Sequence, residues 1–173
     1  GKLNEAKSQF DFVVEMMRDK ERICVEIAQD CEEAGLYDAA MEFYSKALGH
    51  QPNLDYAAYR LAYLTARTNQ DVNTALPLAQ LALGLDSANF LYQGAVGIAY
   101  YLKKDLVQAR SYLEQAVVNQ QGYADKEAGV NNYYLGLVYR DLKKTENSKR
   151  QFAEYLKRAP NGEFAVAVKQ WLK

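Results

Sequence analysis

Gly35-Leu-Tyr-Asp-Ala-Ala-Met-Glu-Phe-Tyr-Ser-Lys-Ala-Leu-Gly-His-Gln-Pro52 reads as a turn, a short amphipathic helix and a stop. Ala40, Tyr44, Ala47 and Leu48 fall at i, i+4, i+7 and i+8, so they share one helical face. Gly35 stands in the turn before that helix and Pro52 in the turn after it. The pattern recurs as Ala75, Ala79, Ala82 and Leu83, as Ala109, Leu113, Ala116 and Val117, and as Ser148, Phe152, Tyr155 and Leu156. Upstream it recurs as Ala6, Phe10, Val13 and Val14. The leading members Ala6, Ala40, Ala75, Ala109 and Ser148 stand 34, 35, 34 and 39 residues apart. A period near 34 with two small insertions marks an array of helical repeats.

Each full copy has a partner helix upstream in which a larger aliphatic precedes a small residue: Ile27-Ala28, Leu61-Ala62, Val96-Gly97 and Leu135-Gly136. Two antiparallel helices joined by a short turn approach closely only where one side chain is Gly or Ala. The larger neighbour then fills the groove beside the contact.

Through Leu135-Gly136…Tyr139…Ser148…Phe152…Pro160, Val96-Gly97…Tyr100…Ala109…Ala116 and Tyr37…Ala40…Tyr44…Ala47…Pro52, the chain resembles the tetratricopeptide-repeat (TPR) family. The resemblance covers nearly the whole chain. It implies an all-α fold, a right-handed superhelical α-solenoid of antiparallel helix pairs whose concave face binds other proteins. The frames are a half repeat at 4–20, repeats at 21–54, 55–89, 90–123 and 129–162, and a capping helix at 163–172. Thr65 and Cys31 stand where the family has an aromatic, and Ser148 replaces a small apolar Ala.

Helices are expected at 4–17, 21–34, 37–49, 54–68, 74–84, 88–102, 105–119, 124–143 and 145–158, with a final one at 163–172. Asn4 and Thr74 are the expected N-caps, which puts Pro77 in a first turn where its missing N–H costs little. Residues 68–74 hold the one-residue insertion. Phe164, Val168, Trp171 and Leu172 form the stripe by which the last helix covers the end of the array.

At 173 residues the chain can bury a substantial core, distributed between neighbouring repeats. A formal charge of −1 gives no reason to expect nucleic acid or an anionic membrane. No apolar run approaches the roughly 18 residues of a membrane helix. Charge is uneven: residues 1–54 carry 6 basic and 11 acidic groups, 55–123 carry 5 of each, and 124–173 carry 10 and 6. Cys24 and Cys31 lie seven apart on one expected helix, about 10 Å between Cα atoms and beyond the ~7 Å limit for a disulfide. They read as small core residues, with a mild lean to the cytoplasm. The start on Gly1, in mid-repeat, suggests a fragment of a larger protein.

Catalysis finds little support. His50 is the only histidine and has no neighbouring Cys or His to complete a metal site or triad. Phosphate loops, Cys-x-x-Cys and Gly-x-Ser-x-Gly are missing from the sequence, and neither cofactor nor metal is expected. Binding is better supported. The resemblance places one stripe of each first helix on the concave surface: Arg22, Val25, Gln29, Glu32; Tyr56, Tyr59, Tyr63, Ala66; Leu91, Gly94, Ile98, Tyr101; and Val130, Tyr133, Leu137, Arg140. The expected partner-binding groove is therefore Tyr56, Tyr59, Tyr63, Arg67, Leu91, Ile98, Tyr101, Tyr133, Leu137 and Arg140. Burial against the next repeat competes most strongly with this role at Tyr59 and Tyr133. Tyrosine suits such a surface because it combines rigid area with a polar tip.

Some members of the family clamp a partner's C-terminal carboxylate with Lys and Asn. The matching positions here hold Val25, Gln29, Arg60, Leu91 and Ala95, so the clamp is absent. The reading is a non-enzymatic interaction scaffold for a protein or peptide partner. The alternative is a regulatory or substrate-recruiting arm of an enzyme whose catalytic domain lies elsewhere. RNA-binding repeats would need basic inner faces. Self-association through the orphan first helix is a further expectation, since it leaves an apolar face uncovered.

Overall fold

Glycine and alanine decide how near these helices come to one another. The computed structural model describes residues 2–68, 71–122 and 126–173, and among these it contains ten helices and no strand. They form two compact units, Gly1–Leu85 and Asp86–Lys173. The first holds α1 (Lys2–Met16), α2 (Lys20–Glu33), α3 (Tyr37–His50), α4 (Asp55–Arg67) and α5 (Val72–Leu85). The second holds α6 (Phe90–Leu102), α7 (Leu106–Asn119), α8 (Lys126–Asp141), α9 (Thr145–Arg158) and α10 (Ala165–Trp171). The principal pairs are α2 with α3, α4 with α5, α6 with α7 and α8 with α9.

In the second unit the pairing depends on absent side chains. A Cβ on Gly97 would lie 2.6 Å from Cγ of Leu113, and one on Gly136 would lie 2.6 Å from the Phe152 ring. Real contacts never come so close, so only glycine permits this approach. Ala28 takes the same place in the first unit and is fully buried, as are Ala40, Phe43 and Tyr44 opposite it. Ser148 is accommodated where an alanine was expected because its hydroxyl donates to the Gly136 carbonyl at 2.8 Å. Thr65 is buried with its hydroxyl 3.8 Å from Sδ of Met41. Cys24 and Cys31 are free, buried thiols, and burial pushes both pKa values up.

A chain of side-chain amides fixes α8 in the second unit. Asn132 donates to Gln151 Oε1 at 2.8 Å and accepts from Gln120 Nε2 at 2.6 Å. Gln120 Oε1 accepts from Asn131 at 3.0 Å, and Asn131 also reaches the Phe90 carbonyl at 3.4 Å. All four amides are buried. Asn131 needs Gly94 opposite it, since a Cβ there would sit 1.9 Å from its Oδ1. Buried amides remain favourable only when paired, so this ladder ties α8 to α6, α9 and the end of α7 in one register.

Four expectations change at the helix ends. Helix α1 already runs at Lys2, so Asn4 lies within it and does not cap it. Helix α5 starts at Val72, because Asp71 and not Thr74 provides the cap: its carboxylate accepts from the Asn73 N–H at 2.9 Å and from the Thr74 hydroxyl. Those bonds hold the Asp71 carboxyl below its ordinary pKa. Pro77 thus falls in the second turn of α5, where the Asn73 carbonyl loses its i+4 donor. The last helix is shorter than expected, Ala165–Trp171, with Phe164 at its N-cap. It is fastened by buried Val168 and by Trp171, whose ring meets Phe152 edge-on at 5.0 Å. Asn69 and Gln70 of the inserted turn, and Ala124 and Asp125 of the expected 124–143 helix, lie outside the described residues.

Replacing Gly136 with Ala is expected to destabilise the protein by about 1–3 kcal/mol through overpacking against Phe152. Urea unfolding of the variant and its parent measures the difference, and an unchanged midpoint would show that the helix pair can relax.

Candidate partner-binding faces

In the first unit, α2 and α4 meet through an ion pair with aromatic walls. Glu32 on α2 accepts from Arg60 on α4 at Nε (3.0 Å) and at a terminal nitrogen. The same carboxylate accepts the Tyr44 hydroxyl at 3.0 Å. The Arg60 guanidinium lies 5.3 Å from the ring centroids of both Tyr59 and Tyr63, and Arg60 is only 8% exposed. A guanidinium so placed is held by charge, by hydrogen bonds and by the ring faces together. Burial and then the Glu32 charge push the Tyr44 phenol far above its ordinary pKa. Position 60 is therefore filled by a cation that is fully engaged within the unit.

Tyr56, Tyr59 and Tyr63 descend one side of α4 with centroids 6.3 and 6.2 Å apart. Tyr56 is 37% exposed, and its hydroxyl accepts from Gln29 Nε2 at 3.1 Å. Tyr63 is half-buried and Tyr59 is buried. Arg67 is half-buried over the Tyr37 ring, 4.6 Å from its centroid, and donates to that hydroxyl at 3.2 Å. The α2–α4 edge thus presents Gln29, Tyr56 and Tyr63, with Tyr59 and Arg60 as its floor.

In the second unit, Leu91, Tyr133 and Leu137 are half-buried and Arg140 is exposed. Ile98 and Tyr101 are buried, unlike the exposed placement expected for them. Tyr101 packs edge-on to Tyr134 at 5.9 Å and donates its hydroxyl to Asp141 Oδ2 at 3.0 Å. Burial, the hydrogen bond and the negative charge of Asp141 raise its pKa to about 12. Tyr133 is partly covered because Phe164 stacks on it, centroids 3.9 Å apart. Arg140 pairs with Asp141 at 2.9 Å.

Sequence reasoning missed two features: the Glu32–Arg60 pair and the burial of Tyr101. The first had a faint signal, since Arg60 falls between Tyr56 and Tyr63 on α4 and Glu32 closes the stripe that Val25 and Gln29 continue on α2. For the second, Asp141 at the end of α8 was the available clue. Among the described residues no group of three or more His, Cys, Asp or Glu side chains is placed to hold a metal ion, and no helix is long and apolar enough to cross a membrane.

Antiparallel pairs with a near-34-residue period, Gly or Ala at the crossing and a closing helix define the tetratricopeptide-repeat fold, and the chain has that fold. No protein-family model matches the sequence, and no curated protein matches it either. Solved structures do. YrrB, a TPR protein with an unusual peptide-binding site, aligns with a TM-score of 0.68 at 18% identity over 98% of this chain and 84% of its own. PilF of Pseudomonas aeruginosa aligns with a TM-score of 0.69 at 23% identity over 88% and 67%. MamA of Desulfovibrio magneticus RS-1 aligns with a TM-score of 0.66 at 16% identity over 84% and 79%. At such identities the likeness is one of fold.

The Tyr101 hydroxyl supplies a pH test. Its folded pKa, about 12, lies above the ordinary value of 10.0. Its contribution to stability is therefore complete below pH 10 and is lost as pH rises through about 12. Tyr101→Phe is expected to be less stable than the parent by about 1 kcal/mol at neutral pH, with the gap closing in that alkaline window. Denaturant unfolding at a series of pH values checks this; a gap independent of pH would place the effect elsewhere.

Proposed function

We propose that this chain is a non-enzymatic protein–protein interaction scaffold that holds a partner peptide or helix against the faces of its first helices. In the first unit the contact residues are Gln29, Tyr56 and Tyr63 with Arg67 at the rim. In the second they are Leu91, Tyr133, Leu137 and Arg140. Tyr59, Ile98 and Tyr101 act from beneath as supports. The frames 21–54, 55–89, 90–123 and 129–162 each contribute one such helix, in a cytoplasmic protein.

One observation carries the reading. The Tyr56 ring stays 37% exposed while its hydroxyl is tethered to Gln29 at 3.1 Å. An aromatic side chain fixed before a partner arrives loses little entropy on binding. YrrB, with its peptide-binding site, shares the fold and lends support by analogy.

Peptides selected from a random display library on the intact protein provide the test. Tyr56→Ala combined with Tyr63→Ala is expected to weaken the selected peptides at least tenfold while retaining the helical circular dichroism of the parent. Equal affinity for parent and variant would remove the α2–α4 edge from the binding surface.

A second reading, self-association through α1, is favoured by its exposed apolar side chains. Phe12 and Met16, one turn apart, are 68% and 72% exposed, and Met17 follows at 47%. Light scattering over a concentration series should show a rising mass in the parent that Phe12→Ser with Met16→Ser abolishes. A constant monomer mass in the parent would dispose of it.

A further inference from the structure

The turns that close the two helix pairs of the second unit carry lysine where the first pair carries Gly35. Gly35 has a φ of 74°, and Lys104 and Lys143 take the same left-handed position at 65° and 60°. The hydrogen bonding is equivalent: the Gly35, Lys104 and Lys143 N–H groups donate to the carbonyls of Glu32, Tyr101 and Arg140 at 2.9 Å each. The next residues, Leu36, Asp105 and Lys144, donate back to Cys31, Tyr100 and Tyr139 at 2.8, 3.0 and 2.8 Å. This is the helix C-cap that glycine fills without strain and a residue with a Cβ does not. Strain of this kind persists only where the surrounding structure holds it, and it clusters at functional sites. Among the described residues it occurs twice outside glycine, both times for lysine.

The two turns are neighbours. The Tyr101 hydroxyl joins Asp141 at 3.0 Å, which ties the last turn of α6 to the last turn of α8. Lys103-Lys104 follow α6 directly and Lys143-Lys144 follow α8 after Leu142, and all four are exposed. Exposed Arg140 lies on the same edge. Nearby acids are already committed. Asp141 accepts from Tyr101 and Arg140, Asp105 caps α7 by accepting from the Gln108 N–H at 3.1 Å, and Glu146 pairs with Lys149 at 3.5 Å. Lys104 Nζ is 5.5 Å from the Tyr101 ring centroid, which steadies the ammonium without neutralising it.

We propose that this lysine edge is a second recognition surface, for an acidic stretch of a partner protein that carries several Asp or Glu carboxylates. Its four lysines sit on two adjacent turns, a span suited to a short segment. A nucleic acid would extend its charge well beyond them. Charged rims of this type set encounter rate and partner choice.

The strain makes the test unusually clean, because removing the lysines should stabilise the protein. The probe is a fluorescent peptide of eight consecutive glutamates, followed by anisotropy on the whole chain at low salt. Lys104→Gly with Lys143→Gly is expected to raise the urea midpoint and to weaken the peptide about tenfold. Lys103→Gln with Lys144→Gln should weaken it similarly with the midpoint unchanged. Affinity should fall as salt rises, since exposed charges are screened. Retained affinity in the glycine variant would overturn the proposal. So would equal binding of a single-stranded oligonucleotide of the same charge, or no binding of the glutamate peptide to the parent at millimolar concentration.

Discussion

The distance between paired helices is the constraint on which the other contacts rest. At Gly97 and Gly136 a single methyl group would collide with Leu113 and Phe152. The closeness that results brings the Ser148 hydroxyl within reach of a helix carbonyl that would otherwise lie too far away. At Ala28 the first unit uses a slightly larger residue at the equivalent crossing. There the reach is supplied by longer side chains, Tyr44 and Arg60, converging on Glu32. Both units thus solve the same packing problem, one with hydroxyl-to-backbone contact and the other with a buried charge pair.

A buried pair of this kind is a poor source of net stability, because desolvating two charges costs about as much as their attraction returns. Its better-founded role is geometric. Arg60 can satisfy Glu32 and lie against Tyr59 and Tyr63 only when α2 and α4 hold one offset. The tyrosines on the α2–α4 edge are therefore backed by a rigid polar layer. In the second unit the backing is apolar and aromatic, with Phe164 stacked on Tyr133 and Tyr134 against Tyr101. The closing helix is accordingly part of the support for that face as well as a cover for the core.

The fold was legible because its signals are local and repeated. Period, small-residue crossings and the turn at Gly35 all follow from side-chain size and backbone freedom, and the helices lie close to where those signals put them. Helix ends were harder, since at α5 two hydroxyl- or carboxylate-bearing residues compete and the longer reach of Asp71 wins over Thr74. The candidate site was less legible still. A tyrosine at a surface-facing register can be drawn inward by residues distant in sequence, as Tyr134 packs on the Tyr101 ring and Asp141 takes its hydroxyl. The ladder of Gln120, Asn131, Asn132 and Gln151 was invisible for a related reason. An isolated amide reads as solvent-facing, and only assembled geometry shows that each completes another.

That ladder bears on a hazard particular to repetitive chains. Helices built on one template can dock in each other's places, and misassembly between like elements is a common failure of repeat proteins. Asn131 needs the bare backbone of Gly94, and Asn132 needs Gln151 and Gln120 on either side. Any other helix in the place of α8 would leave those amides buried and unanswered. The ladder works as a molecular address, written in hydrogen-bonding groups over an otherwise interchangeable apolar surface.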